Sequence, residues 1–433
     1  MSFQEIRILF DNGLVKTPVG VLAATNGRVL FEYDSVWVSG VVELSPFHLP
    51  LAERTYRFES GRLPDRLPGL CADSLPDGWG MLIMDRHFMR QGIARNDISP
   101  FDRLAWLGDE AMGALCYQPS LRSTEALHEA VQIGVTAREA LQLFEGRIED
   151  AGRLLARIGG SPGGARPKAL IGCAPDGVSF VSGAGSLPEG YSHWLVKFSA
   201  SRKSITSEYG RYEGTLEHIC LAMAAAAGIR VPENRLIDDG NGVRHIAVRR
   251  FDRPSPSARL HVATASGLLH ADHRLPSLDY ADLLKLAWSL TNDMRHVLEQ
   301  YRRAVFNLFV GNRDDHAKNH GYLLDGNGGW GLSPVYDVTF VGGPGGEHCT
   351  AYLGEGGQPD ISILLKLAEQ ASIKAADARL IIGQVQSAVA TFSALAKKQG
   401  IPSGLRRQVE KQLNQIGSSV CGNAYIPGTQ CNL

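Results

Sequence analysis

The chain has 433 residues, 44% hydrophobic and 21% charged, with 44 Lys plus Arg against 45 Asp plus Glu. A net charge of −1 argues against a chain whose main task is to hold bare nucleic acid, which needs a basic surface. No stretch approaches the ~18 apolar residues of a membrane span, and the opening Met1-Ser2-Phe3-Gln4-Glu5 lacks a basic, then apolar leader, so a cytoplasmic protein without membrane contact is expected. The length allows two or three domains. Seven cysteines without a C-x-x-C pair read as reduced, mostly buried thiols.

The first 40 residues read as antiparallel strands. Ile6–Phe10 can turn at Asp11-Asn12-Gly13, and Asn26-Gly27 joins Gly20–Ala24 to Val29–Tyr33 as a hairpin, because both turn positions tolerate positive φ. From Leu75 the character changes: Met81–Met89 and Ala137–Phe144 look helical. Residues 1–150 are read as one α+β unit. Residues 151–253 read as a small sheet with one helix. Gly159-Gly160-Ser161-Pro162-Gly163-Gly164 is a dense glycine loop, Ala169–Cys173 and Val178–Val181 make a hairpin, and His193–Phe198 and Ile246–Val248 are strands. Leu216–Ala227 is helical and stops at Gly228 and Pro232. Residues 254–433 are mostly helical. Met294, Val297, Leu298, Tyr301, Val305, Leu308 and Phe309 recur at helical spacing, Ala375–Lys398 and Ser403–Ile416 are further helices, and the tail after Gly417 reads as loosely held.

Four features could carry chemistry. The glycine loop, closed by Ala165-Arg166-Pro167-Lys168, can turn N–H groups toward a phosphate, although it is not a Walker A loop; alone it could equally be a surface loop. Lys197 sits on an apolar strand and either points outward or contacts phosphates, held by Glu217 with Glu213 behind it. In Asn312-Arg313-Asp314-Asp315-His316-Ala317-Lys318-Asn319, Asn319 follows Asp314 by five positions, the spacing of H-R-D-x-x-x-x-N, in which the Asp accepts a hydroxyl proton and the Asn holds a metal ion. Asp337, among apolar neighbours eighteen positions after Asn319, needs a partner to offset its desolvation; magnesium is one, a turn or cap another. The order of the four is that of a protein kinase, whose chemistry is mainly positioning and charge stabilisation.

With these residues the sequence resembles the HipA family of toxin–antitoxin kinases, over nearly the whole chain to about residue 395. Leu75-Pro76-Asp77-Gly78-Trp79-Gly80 and Leu104–Leu115 are similar to its N-terminal signatures. Ser161–Lys168 matches the loop that covers ATP and carries an autophosphorylated serine, here Ser161. His193–Lys197 matches the ATP-contacting strand, Arg249–Arg253 the hinge that reads adenine, Asp314–Asn319 the catalytic loop, and Tyr336-Asp337 the metal aspartate. Arg166-Pro167 stand where Gln-Glu is common in the family, and Arg249 where an acidic residue can occur.

The resemblance implies an α+β, two-lobed protein-kinase-like fold with an N-terminal strand-rich subdomain and a mostly helical C-terminal lobe. It implies Asp314, Asn319, Asp337 and Lys197 as catalytic residues, with magnesium on Asn319 and Asp337. ATP contacts fall to Gly163, Gly164, Ala165, Arg166, Lys168, Lys197, Arg249, Phe251, His316 and Lys318. It also implies a helix-turn-helix antitoxin of the HipB type, operator DNA reached chiefly through it, and an aminoacyl-tRNA synthetase as protein substrate. Competing readings are a metal-dependent hydrolase built on Asp314, His316 and His320, a kinase-like scaffold acting as co-repressor, and a kinase acting on a small molecule or another protein. Lys197 and Asp337 are expected to face each other across the cleft. The glycine-rich segment 338–360 is expected to be mobile and to face substrate.

Overall fold

The computed structural model describes residues 3–25, 27–40, 42–58, 67–122, 128–200, 209–342 and 344–422. Strands β1 (Glu5–Asp11), β2 (Lys16–Thr25), β3 (Arg28–Tyr33), β4 (Thr55–Phe58) and β5 (Leu115–Gln118) form an antiparallel sheet in the order β4-β3-β2-β1-β5. The β2–β3 pairing closes at Thr25 and Arg28, with Gly27 at φ +74°; Asn26 lies outside the described residues. The helix Pro100–Leu107 begins at a capping box between Ser99 and Asp102, with proline in its first turn.

A second sheet has the order β7-β6-β8-β10-β9, from β6 (Lys168–Cys173), β7 (Phe180–Ser182), β8 (Ser192–Lys197), β9 (Asn234–Asp238) and β10 (Arg244–Arg249). The helix Tyr209–Ala226 packs on it. Alternation along β8 decides what each side chain does. Trp194 and Val196, with Phe198 beyond the strand, join the apolar core of the N-terminal region, whereas Leu195 and Lys197 face the opposite way, into a cleft. In β10, Ala247 belongs to the N-terminal core and Ile246 and Val248 to that of the helical lobe. The small sheet is therefore sandwiched between two hydrophobic cores.

Five short strands lie in the last third: β11 (His261–Thr264), β12 (Leu278–Asp279), β13 (Gly321–Leu324), β14 (Trp330–Leu332) and β15 (Thr350–Ala351). Three form a sheet in the order β11-β13-β14, and β12 pairs in parallel with β15. Around them pack helices, centrally Met294–Val310. Its apolar stripe buries Val297, Tyr301, Val305, Leu308 and Phe309, each contributing about 1.5–3 kcal/mol when fully buried. Asp293 caps its start, and Gly311 at φ +68° ends it in the left-handed turn that favours glycine.

The helical lobe departs from expectation in three places. Ala375–Lys398 is two helices, Ala375–Val389 and Phe392–Lys398; between them the Thr391 hydroxyl donates to the Ala388 carbonyl, a local bond that competes with helix continuation. The last helix runs Ser403–Cys421, with Gly417 buried inside it, so residues 418–421 are helical rather than loosely held; residues 423–433 lie outside the described set. Cys71, Cys116, Cys173, Cys220 and Cys349 are free thiols, but Cys421 is disulfide-bonded, against the expectation that all are reduced. No described helix is long and apolar enough to cross a membrane.

Candidate active site

The cleft between the small sheet and the helical lobe holds a cavity of about 190 Å³. At its centre Lys197 Nζ lies 2.7 Å from Glu217 Oε1 and 2.5 Å from Asp337 Oδ1, so the expected facing of Lys197 and Asp337 is met by an ion pair. Burial alone would lower the Lys197 pKa, but the two carboxylates outweigh it and hold the ammonium charged. Burial raises the Glu217 carboxyl, with Lys197 opposing. Asp337 stays well below the usual carboxylate range: burial pushes it up, but Lys197 and Lys168 outweigh that. Asp337 also has φ +56°, a left-handed conformation that costs a non-glycine residue of order 1–3 kcal/mol and is tolerated where the surroundings over-determine it.

The glycine loop forms the roof. Gly163, Gly164, Ser161 and Lys168 line the cavity, and Lys168 Nζ donates to Gly163 O at 2.5 Å. Burial lowers the Lys168 pKa, with Asp337 opposing. Ser161 is 1% exposed and its hydroxyl has no partner among the described residues. Ala165 and Arg166, expected among the nucleotide contacts, do not line the cavity. Ala165 lies against Gly78, and Arg166 turns outward to Glu213 at 2.7 Å. Arg249 and Phe251 line the hinge end; Arg249 pairs with Glu233 at 2.9 Å, and the Phe251 ring lies 5.8 Å from that of Tyr336.

His316, Lys318 and Asn319 line the floor. Lys318 Nζ donates to Leu75 O at 2.8 Å, and the Asn319 amide donates to Asp314 O at 2.6 Å. Asp314 stands at the rim rather than in the lining. Although the residue as a whole is exposed, surrounding protein desolvates its carboxyl and raises its pKa; His316 opposes, and Asp337 adds to the rise. His320 is not part of this group. It is buried, its Nε2 lies 3.1 Å from Asp315 O, and burial lowers its pKa to about 4. That corrects the alternative in which Asp314, His316 and His320 share a metal; among the described residues no three His, Cys, Asp or Glu side chains gather to hold one. A magnesium ion kept largely by phosphates and water needs fewer protein oxygens. Asp337 Oδ2 and Asn319 Oδ1, with no described donor on either, fit that requirement.

Several residues here escaped sequence reasoning. Asp315 is fully buried and accepts from Tyr280 Oη at 2.7 Å, His348 Nδ1 at 3.0 Å, and the Cys349 and Thr350 N–H groups at 2.9 and 3.2 Å. It thereby pins residues 348–350, inside the segment expected to be mobile, to the catalytic loop. Asp73, Leu75, Asp77 and Met112 come from the N-terminal region and line the same cavity. Met112 is carried there by a buried ionic cluster. Asp252 accepts from Gly113 N–H at 2.9 Å and from Arg250 and Arg253 at 2.6 and 2.8 Å, and Arg253 donates to Gly113 O at 2.8 Å. The sequence signal existed, since Leu75–Gly80 and Leu104–Leu115 stand out as motifs, but a motif does not say what it touches.

A small sheet bearing a lysine, a helix bearing its glutamate, and a helical lobe bearing the loop aspartates have the plan of the protein kinases. More narrowly, the chain belongs to the HipA family: the HipA N-terminal domain matches residues 13–118 and the HipA-like C-terminal domain residues 160–392. In fold it is similar to a chain from the Shewanella oneidensis toxin–antitoxin complex of HipA, HipB and operator DNA, with a TM-score of 0.71 over 96% of this chain and 97% of that one at 17% identity. In sequence it is similar to "Putative kinase Y4dM" of Sinorhizobium fredii, 26% identical over 48% of this chain, and to a Haemophilus influenzae protein named "Putative kinase", 24% identical over 29%. These matches cover 53% and 40% of those two proteins, so the chain spans about half or less of the curated relatives it matches.

Proposed function

We propose that this chain is an ATP- and magnesium-dependent serine/threonine protein kinase and the toxin of a toxin–antitoxin pair. The observation that carries the reading is the Glu217–Lys197–Asp337 chain of contacts at 2.7 and 2.5 Å, a charged arrangement in a cleft under a glycine loop, with Lys197 and Glu217 largely buried and Asp337 half-buried. Packing does not require a lysine between two desolvated carboxylates, and such sites are functional candidates.

In this reading residues 1–150 are an N-terminal unit, 151–253 the nucleotide lobe and 254–433 the catalytic lobe. Lys197 and Lys168 neutralise the nucleotide phosphates under Gly163 and Gly164, and Arg249 and Phe251 flank the base. Asp337 and Asn319 hold magnesium, which when bound neutralises charge building on the phosphates. Asp314 orients the attacking hydroxyl and accepts its proton as the γ-phosphoryl group passes to the oxygen and the bond to ADP breaks. Its raised pKa brings it closer to that task than an ordinary aspartate. His316 and Lys318 position the catalytic loop, Lys318 through its bond to Leu75.

Ser161, in the roof of the cavity, is the proposed autophosphorylation site. A doubly charged group among glycines that should hold ATP phosphates would repel the nucleotide. A HipB-type antitoxin that carries the chain to operator DNA is proposed from family membership and from the composition of the Shewanella complex. An aminoacyl-tRNA synthetase as substrate rests on the family resemblance alone. The test is incubation with magnesium and labelled ATP beside Asp314→Ala, starting from unphosphorylated protein. Phosphate on Ser161 in the wild type alone supports the kinase. No labelling and no ATP binding in either protein would sink it in favour of a scaffold role.

A further inference from the structure

The motif Leu75–Gly80 has no catalytic role in the reading above, yet it wraps the glycine loop along its length. Asp77 occupies the N-cap position of the helix Gly78–Arg90 but makes no side-chain bond to that helix. An aspartate there ordinarily accepts an N–H from its own first turn. Asp77 Oδ1 instead accepts the N–H of Gly164, 87 residues away. Trp79 N–H donates to Gly164 O at 3.0 Å, and Trp79 Nε1 donates to Lys168 O at 2.8 Å. Gly164, at φ +93°, is thus held through both its N–H and its carbonyl.

Sterics agree. A Cβ on Gly78 would lie 2.5 Å from Ala165 Cα, and one on Gly80 would lie 2.8 and 2.9 Å from the carbonyl oxygens of Gly160 and Pro162. On the loop side, a Cβ on Gly159 would lie 2.8 Å from Ile83. Gly78 and Gly80 let the main chain of this segment approach that of the loop, and Gly159 makes room for the Ile83 side chain. The loop is the roof of a partly open cavity of about 190 Å³.

We propose that Asp77, with the backbone of Gly78–Gly80, is a latch that holds the glycine loop down over the nucleotide site. Asp77 is then a positioning residue, and the N-terminal unit sets how tightly the kinase lobe closes on its nucleotide. The identity of what the loop covers rests on the kinase reading; the latch does not. Because Asp77 accepts from a neutral N–H, asparagine can keep the bond through its own oxygen, while alanine cannot.

The test is hydrogen–deuterium exchange over residues 159–168 without nucleotide, in wild type, Asp77→Ala, Asp77→Asn and Gly80→Ala, followed by KM and kcat for ATP with magnesium. Gly80→Ala puts a methyl against Pro76 and against the carbonyl oxygens of Gly160 and Pro162, so it crowds the loop without removing the carboxylate. We expect at least tenfold faster loop exchange in Asp77→Ala and Gly80→Ala, exchange within threefold of wild type in Asp77→Asn, and no change in the helix Met294–Val310. KM should rise at least fivefold in the two opened variants, with kcat moving less. Unchanged loop exchange in both would overturn the latch, and so would a rise shared equally by the helical lobe, which is general destabilisation. A released loop in a protein that transfers no phosphate would leave the latch standing and remove the kinase reading instead.

Discussion

Replacing Asp315 by alanine should be among the most damaging single changes outside the nucleotide contacts. Its carboxylate is 0% exposed and accepts from four donors on two segments: Tyr280, and the run of His348 with the backbone of Cys349 and Thr350. A bond to a charged acceptor contributes about 1.5–3 kcal/mol, but four such values do not add, because the site relaxes and water enters. Removing one partner of a buried charged pair costs about 3–5 kcal/mol, and we expect Asp315→Ala to fall there. Asp315→Asn keeps one oxygen for the backbone donors and loses the charge that faces His348, so about 1–3 kcal/mol is expected. Urea unfolding followed by circular dichroism measures both, and exchange at 348–350 should rise in the same order. A loss below about 1 kcal/mol in the alanine variant would refute the argument that this network anchors the segment. The pH dependence adds a check of sign. Burial pushes the Asp315 pKa up, but the bond from His348 and its charge outweigh burial, and the folded value is depressed. Its contribution is therefore fully present above the unfolded value of about 3.9 and is lost as pH falls through the folded value; Asp315→Asn should lack that slope.

Three further outcomes follow from the cleft. Asp314→Asn should lower kcat by about 10²–10⁴-fold, and since the Asp314 pKa is raised and the base acts deprotonated, the acid limb of the wild-type rate should rise above the ordinary carboxylate range; a limb at or below about 3.9 would count against Asp314 as the base. Lys197→Met leaves Glu217 and Asp337 without the cation between them and should lower kcat/KM for ATP by about 10²–10³-fold, while Arg249→Ala, whose side chain is 44% exposed, should change it far less. ATP with magnesium at 100 times its Kd should stabilise the fold by about 2.7 kcal/mol in thermal unfolding, and Asp337→Ala should abolish most of the shift; equal shifts in both would remove Asp337 from the site.

Much of this site was legible because local rules and tertiary structure agree. Strand alternation alone placed Lys197 opposite Trp194 and Val196, and an apolar helix stripe ending at Gly311 placed the loop that follows it. The fold class and the family were readable from motifs in order. What stayed hidden depends on partners distant in sequence. Asp315 reads as one more polar residue in a polar loop; only the return of residues 348–350 shows that it is interior. Arg166 reads as part of the nucleotide loop, but Glu213 draws it outward. Asp77 reads only as part of the Leu75–Gly80 motif. His320 stands at helical spacing from His316, yet that stretch contains only the short turn Ala317–Asn319, so spacing misplaces the two rings.

The contribution of Met112 to the cavity wall bears on inhibitor design. It lines the cavity from the N-terminal unit, and the Asp252 cluster of the nucleotide lobe holds the adjacent Gly113. A two-lobed kinase lacking such an appended unit has no atom in that position. A hinge-binding compound extended toward Met112 would therefore meet a soft, adaptable surface in this protein and open solvent in the other, and selectivity could be gained without altering the part of the compound that mimics adenine.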